Sequence, residues 1–448
     1  MKLTDANAHS KLLRIAIPLI LANVTTPLLG LVDTAILGRM DGLHFLAGAA
    51  IASLILTQLY WICGFIKMSI TGLSAQSKRK NADTQIKTLM QGAVFALCMA
   101  ILILVFQYAI VHAGLWFAQA SPELAQTTQD YYYVRVWGAP AALVNLAIIG
   151  WLVGQQKSRV ILVLQVLVNV INIIASLSLV YGFNMGVEGV AAGTVIAEYS
   201  LCILSFAYIH QRHTNVYIKR AWFALSQLQP LLSLNWDMLI RNLFLQFTLA
   251  FITLRGVQYG TEAAAINAIL MQFFALIALG LDGIANAVEA LVGERSGSSD
   301  KAEAVNKQSA INMQVMLGLF WSSAAALLYT LIFWIFGLEI IQLLSNQSKL
   351  IESVQAYLWV IILLPAIAHW CFLFDGVYVG LTKGKTMRNN MILSTLLGFL
   401  PCVFIFQGFG NQSLWVAMFA FLIGRGLGLG LHYALVVARE PGAQPYQR

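Results

Sequence analysis

Charge is what this 448-residue sequence has least of: Asp, Glu, Lys and Arg make up 10% of it, against 59% hydrophobic residues. Soluble domains carry about 25% charged residues, so a water-facing α/β enzyme is excluded. Cysteine is sparse as well. The five (Cys63, Cys98, Cys202, Cys371, Cys402) all fall inside apolar runs without metal-ligand spacing, and read as small core residues rather than a disulfide framework. Catalytic signatures are missing too: the histidines are scattered, and HExxH, GxSxG and GxxxxGK[ST] do not occur. The Gly-x-Gly at Gly428 lies in an apolar run and not after a strand, so it is no nucleotide loop. MKLTDANAHS is polar and the next segment lacks a small-residue cleavage site, so no removable signal peptide is expected.

Long apolar runs are what the sequence does have. They predict twelve membrane spans, near 14–38, 45–73, 90–114, 131–154, 159–181, 187–209, 229–256, 262–292, 311–337, 355–381, 388–408 and 412–437. The net charge of +8 does not point to nucleic acid, because the basic residues sit in short loops. Lys78, Arg79, Lys80 and Lys87 follow the second span, Lys157 and Arg159 the fourth, Arg212, Lys219 and Arg220 the sixth, and Lys383, Lys385 and Arg388 the tenth. The loops between carry Glu123, Asp130 and Glu188. Basic loops mark the cytoplasmic side, which places both termini in the cytoplasm.

The polar stretch from about His210 to Gln229 divides the chain into a six-span lobe (1–210), a cytoplasmic linker (211–228) and a second six-span lobe (229–448). GRMDGLHFLAGAAI from Gly38 aligns without a gap on GVQYGTEAAAINAI from Gly256. GWLVGQQKSR (Gly150 to Arg159), after Pro140, echoes GVYVGLTKGK (Gly376 to Lys385), after Pro365. The expected fold is therefore an all-α polytopic membrane protein, twelve transmembrane helices in two pseudo-symmetric six-helix lobes. The same register sets Asp33 opposite Phe251.

The first span holds two prolines, Pro18 and Pro27, and an acid, Asp33. A charge at membrane depth costs roughly 2.5–3.5 kcal/mol on insertion scales, and proline kinks a helix that lipid cannot repair. Asp33 is either an acid near the helix end that pairs with Arg39, or an acid facing a cavity where it takes up and releases a proton. Asn169, Asn172 and Ser176 share one face of the fifth span, and Thr194 and Glu198 one face of the sixth, by helical spacing. They either glue helices together or line the same site, with Glu198 a second titrating group or the partner of a cation. In the second half Asp237 and Arg241 are four apart; Asp282, Asn286 and Glu289 form a stripe on the eighth span, and Asp375 sits in the tenth. These acids form a buried charge network, an inner gate or a second cation site, and Arg425, among glycines, satisfies one of them.

Together PLLGLVDTAILGRMDG (27–42), MSITGLSAQ (68–76), GWLVGQQKSR (150–159), MGVEGVAAGTVIAEY (185–199), INAILM (266–271), LDGIANAVEALVG (281–293) and FLFDGVYVGLTKGKTMRN (372–389) resemble the DinF branch of the MATE multidrug exporters, from about residue 10 to 435. The resemblance implies a non-enzymatic, two-lobed antiporter of the bacterial inner membrane, without cofactor or nucleic-acid partner, that expels amphiphilic, often cationic organic molecules against H⁺ or Na⁺. The family's span-one acid matches Asp33, its bend Pro18, and its polar positions Asn172 and Thr194. Many members carry an aspartate where Ser176 stands here, and Asp375 and Glu289 resemble acids that other branches use. Na⁺ needs several oxygens and gains from two carboxylates, whereas a proton needs one, so Ser176 favours H⁺. A monomer is expected, with a Na⁺-coupled exporter and a lipid-linked flippase of the same superfamily as alternatives.

Overall fold

The computed structural model describes residues 5–40, 42–298 and 301–439. It contains twelve helices long and apolar enough to cross a membrane. In chain order they are α1 (Ala6–Leu37), α2 (His44–Ser77), α3 (Ala82–Val105), α4 (Pro122–Gly154), α5 (Ser158–Gly182), α6 (Gly186–Arg212), α7 (Leu225–Gln258), α8 (Thr261–Ser296), α9 (Lys307–Leu344), α10 (Leu358–Gly380), α11 (Gly384–Ile405) and α12 (Gln412–Arg439). Eleven lie close to their expected limits; α3 starts eight residues earlier and ends nine earlier than 90–114. Its polar first turn is fixed by Asn81, whose side chain accepts from the Thr84 N–H at 3.0 Å, an N-cap that a hydropathy window does not see. The chain then turns at Phe106 and continues as a separate helix, Gln107–Ala118. Bulky apolar side chains such as Val105, Trp334 and Ile405 stay exposed on the helices, as lipid requires. Of the cysteines, Cys63 and Cys371 are buried but Cys98 is exposed, so that one is a surface and not a core residue.

The chain forms two compact units: Leu21–Asn235, and Met1–Ile20 together with Trp236–Arg448. The expected division at a linker, residues 211–228, is thus displaced at both ends. The start of α1 groups with the second half: Lys11 pairs with Glu294 at 3.2 Å, the Trp321 indole N–H donates to His9 Nδ1 at 3.1 Å, and a Cβ on Gly283 would lie 2.3 Å from Ile20 Cγ1. The linker and the start of α7 group with the first half, where Gln91 Nε2 donates to the carbonyls of Trp222 (2.6 Å) and Gln227 (3.1 Å) and Lys219 pairs with Asp83.

Each unit repeats the same helix crossings. In the first, a Cβ on Gly150 would lie 2.5 Å from the Lys67 carbonyl oxygen, and one on Gly154 2.7 Å from that of Thr71 and 2.6 Å from Ala75 N. In the second, Gly376 would meet the Ala285 oxygen at 2.5 Å, and Gly380 the Glu289 oxygen at 2.5 Å and Gly293 N at 3.0 Å. The partners 67 and 285, 71 and 289, 75 and 293 share one spacing, 218; the glycines 150 and 376, 154 and 380 share another, 226. Left-handed Gln156 (φ 58°) and Thr382 (φ 55°) end α4 and α10 at the second spacing, and Gly42 (φ 141°) and Gly260 (φ 109°) precede α2 and α8 at the first. The internal repeat is therefore one of backbone packing.

Candidate functional site

Asp33 lies near the end of α1, half-buried. Its Oδ2 accepts a hydrogen bond from the Thr194 hydroxyl of α6 at 3.1 Å. That hydroxyl in turn accepts from Asn172 Nδ2 of α5 at 3.2 Å. Asn172 and Ser176 are fully buried and Thr194 nearly so. The three polar positions of α5 fall on one face because α5 is a regular α-helix over Ser158–Leu177 and passes into a π-helical turn only afterwards. Asn169, one turn before Asn172, donates to the Thr25 carbonyl of α1 at 2.9 Å, two residues before Pro27. Protein rather than lipid thus faces α1 where its proline removes a backbone donor. The helix itself runs unbroken from Ala6 to Leu37 through both Pro18 and Pro27. Gly193 lets α5 and α6 close on each other: a Cβ there would lie 2.2 Å from Ser176 Oγ and 2.8 Å from Ser176 Cα.

The hydrogen bonds of this cluster are incomplete. Asp33 Oδ1, Asn172 Oδ1 and Ser176 Oγ are buried and have no partner among the described residues. Unpaired buried polar atoms are costly, on the order of 1–3 kcal/mol each, so three together mark a place built to take something up. Thr194 also lies 3.2 Å from the Val190 carbonyl. It owns one hydrogen, which serves either Asp33 or Val190. An ionised Asp33 draws it; a protonated Asp33 donates its own proton instead and leaves the hydroxyl to Val190.

Glu198 does not join this group. Arg135 of α4 grips it with two parallel bonds, Nη1 to Oε2 at 2.8 Å and Nη2 to Oε1 at 2.6 Å. Arg135 was hidden from sequence reasoning because it ends a polar stretch, PELAQTTQDYYYVR, that reads as the approach to a span. A lone cation at the start of an apolar run, with an unmatched acid two spans on, was the available signal.

In the second half the acids are already taken. Asp375 Oδ2 accepts from Arg425 Nη2 at 2.5 Å and from Arg241 Nη2, with all three side chains buried. Asp237 pairs with Arg388 at 2.7 Å rather than with Arg241 four residues on. Asp282 acts electrostatically on Arg425, and Glu289 is buried on α8 under Gly380. No group of His, Cys, Asp and Glu among the described residues could hold a metal ion.

Comparison with known proteins agrees with this geometry. The MatE family profile matches residues 18–178 and 238–404. The sequence is 34% identical over 429 residues to DNA damage-inducible protein F of Escherichia coli (strain K12), spanning 94% of this chain and 91% of the relative. It is 26% identical over 332 residues to the probable multidrug resistance protein NorM of Pasteurella multocida (strain Pm70), spanning 69% and 70%. The crystal structure of the Vibrio cholerae MATE transporter VcmN superposes with a TM-score of 0.84 at 17% identity, covering 97% of this chain and 98% of that one. The chain belongs to the MatE family: it is a DinF-like, multi-pass membrane transporter of MATE fold, and not an enzyme.

Proposed function

We propose that this transporter exports lipophilic, often cationic organic molecules by exchange for H⁺, with Asp33 as the coupling group. The observation that carries the proposal is the half-satisfied carboxylate. Oδ2 has its donor in Thr194, while Oδ1 is buried without one, so a proton on Oδ1 completes the site. The relatives named for multidrug resistance supply the substrate class.

The ionised carboxylate is the counter-charge for a cationic substrate. A proton arriving on Asp33 removes that charge, turns the Thr194 hydroxyl toward Val190 and weakens the hold on the substrate, which leaves. Proton and substrate compete for one group, so exchange follows from linkage alone. Bending of α1 at Pro18, beside the point where the helix passes from one compact unit to the other, moves Asp33 relative to the start of α1; Pro27 allows a second flexion. Asp375, Arg241, Arg425, Asp237, Asp282 and Glu289 act as a charge lock, since Asp375 cannot accept a cation without giving up two guanidiniums. The protein works as a monomer in the bacterial inner membrane with both termini in the cytoplasm.

Na⁺ coupling is the second reading, favoured by the oxygens of Asp33, Asn172 and Ser176 that lack partners, an all-oxygen set that suits a hard cation. Proteoliposomes loaded with the lipophilic cation ethidium separate the two. A pH gradient alone should drive efflux, a Na⁺ gradient alone should not, and Asp33→Asn should stop it while melting like the parent protein. Efflux driven by Na⁺ alone would overturn the proton reading.

A further inference from the structure

Arg135 and Glu198 lie inside the membrane-spanning part of α4 and α6, and their pairing is built with care. Position 138 is glycine because the pair fills the space its side chain would need: a Cβ there would lie 2.1 Å from Glu198 Oε2 and 2.7 Å from Arg135 Nη1. The Glu198 carbonyl is taken by Asn145 Nδ2 at 2.8 Å, and the next residue, Tyr199, donates its hydroxyl to the Trp137 carbonyl at 3.1 Å. The guanidinium stands 5.9 Å from the ring centre of Tyr60 on α2. Glu198 follows Thr194 by one helical turn, so whatever fixes Glu198 fixes the donor to Asp33.

A buried ion pair is weak evidence for stability, because desolvation offsets most of its attraction. The internal repeat supplies a control. At the 226 spacing the second half has Ile361 and Gly424 in place of Arg135 and Glu198, yet it builds the same crossings without an ion pair there. The scaffold does not need the pair; the site does. The charged and titratable groups around Asp33 are Arg135 and Tyr131 on α4, Glu198 on α6 and Tyr60 on α2, while α5 presents only neutral Asn169, Asn172 and Ser176. Of the pair, Arg135 is the member whose charge reaches Asp33.

We propose that Arg135 is the positioning residue of the coupling site: a fixed cation, held in place by Glu198, that sets the pH range over which Asp33 exchanges its proton. This rests on the reading of Asp33 as the proton site. Removing Glu198 leaves Arg135 uncompensated and favours the ionised Asp33; removing Arg135 leaves a bare carboxylate nearby and favours the protonated form. The two neutral variants therefore move the site in opposite directions, which a mere helix clamp does not do.

The test uses the full chain in proteoliposomes, with ethidium efflux measured against pH at a fixed gradient. A parallel infrared titration follows the Asp33 carboxyl band, identified by its loss in Asp33→Asn. Glu198→Gln should lower the midpoint and Arg135→Gln raise it, each by about 1 pH unit. The exchange Arg135→Glu with Glu198→Arg keeps an ion pair but reverses its field. It should recover folded protein and still raise the midpoint, so it carries the test where a single variant does not fold. A midpoint like the parent's in the exchanged protein, or shifts of one sign in both single variants, would sink the inference. Proton-driven efflux persisting in Asp33→Asn, with no carboxyl band to titrate, would instead sink the reading it rests on.

Discussion

The two halves of this transporter are built on one set of backbone contacts and carry opposite chemistry. Gly150 and Gly154 crossing α2 repeat as Gly376 and Gly380 crossing α8, at nearly the same separations. The coupling residues do not repeat. The same register puts Phe251 opposite Asp33, Gly398 opposite Asn172, Cys402 opposite Ser176 and Ala420 opposite Thr194. Phe251 packs edge-on against Phe399 at 5.5 Å, and Phe399 against Phe421 at 6.2 Å, so an aromatic stack fills the place of a polar site. Conversely, Asp375 and Arg425 stand opposite Ile149 and Tyr199. Close crossings constrain both copies, because an added Cβ meets a backbone atom that cannot yield. Side chains between the crossings are free to diverge. One half keeps its acid with an oxygen unbonded, and the other saturates its acid with two arginines. An acid that must change charge has to be left incomplete, whereas an acid that locks helices must not be.

The comparison breaks most visibly at the two acids. Asp33→Asn should abolish proton-driven efflux with little loss of stability, since Thr194 and Asn172 still find an amide to bond. Asp375→Asn should do the reverse: removing one charge of a buried network costs about 3–5 kcal/mol, read as a large drop in melting temperature in detergent. Equal effects of both variants on melting would show that the halves do not divide labour in this way. Next in size are the glycines. Gly154→Ala and Gly380→Ala should each cost about 1–3 kcal/mol from overpacking, and the two values should agree closely. A tolerated alanine at either position would mean that the crossings are not equivalent.

How much of this is legible in the sequence depends on where each residue's partner comes from. Asp33 stands out alone, because an acid in an apolar run is costly wherever its partner lies. The α5 stripe is legible because helical spacing sets it and α5 stays regular as far as Leu177. Arg135–Glu198 and Asp237–Arg388 are not, since each pair joins helices far apart in sequence. The local rule favours Asp237 with Arg241, but an i,i+4 pair on a helix contributes only about 0.2–0.5 kcal/mol, and buried arginine goes where a carboxylate can be fully shared. The exchanged starts of α1 and α7 are equally silent: no composition shift marks the point between Ile20 and Leu21 where one helix leaves one unit for the other.

The smallest expected effect sharpens the comparison at a single atom. Thr194→Val keeps the shape of the side chain and removes the hydroxyl, so the first half comes to resemble the second, where Ala420 stands. The ionised Asp33 then loses its donor, while the protonated form loses less, because it can donate elsewhere. The balance moves toward protonation, and the pH midpoint of efflux should rise. A hydrogen bond to a charged group contributes about 1.5–3 kcal/mol. Here the single hydroxyl proton is contested by the Val190 carbonyl at 3.2 Å, so a net effect of roughly 1 kcal/mol, somewhat under one pH unit, is expected. Thr194→Ser restores the hydroxyl and should restore the midpoint. If valine leaves the midpoint where it was while serine behaves like the parent, the hydroxyl is spent on Val190 in both states, and Asp33 titrates without help from α6.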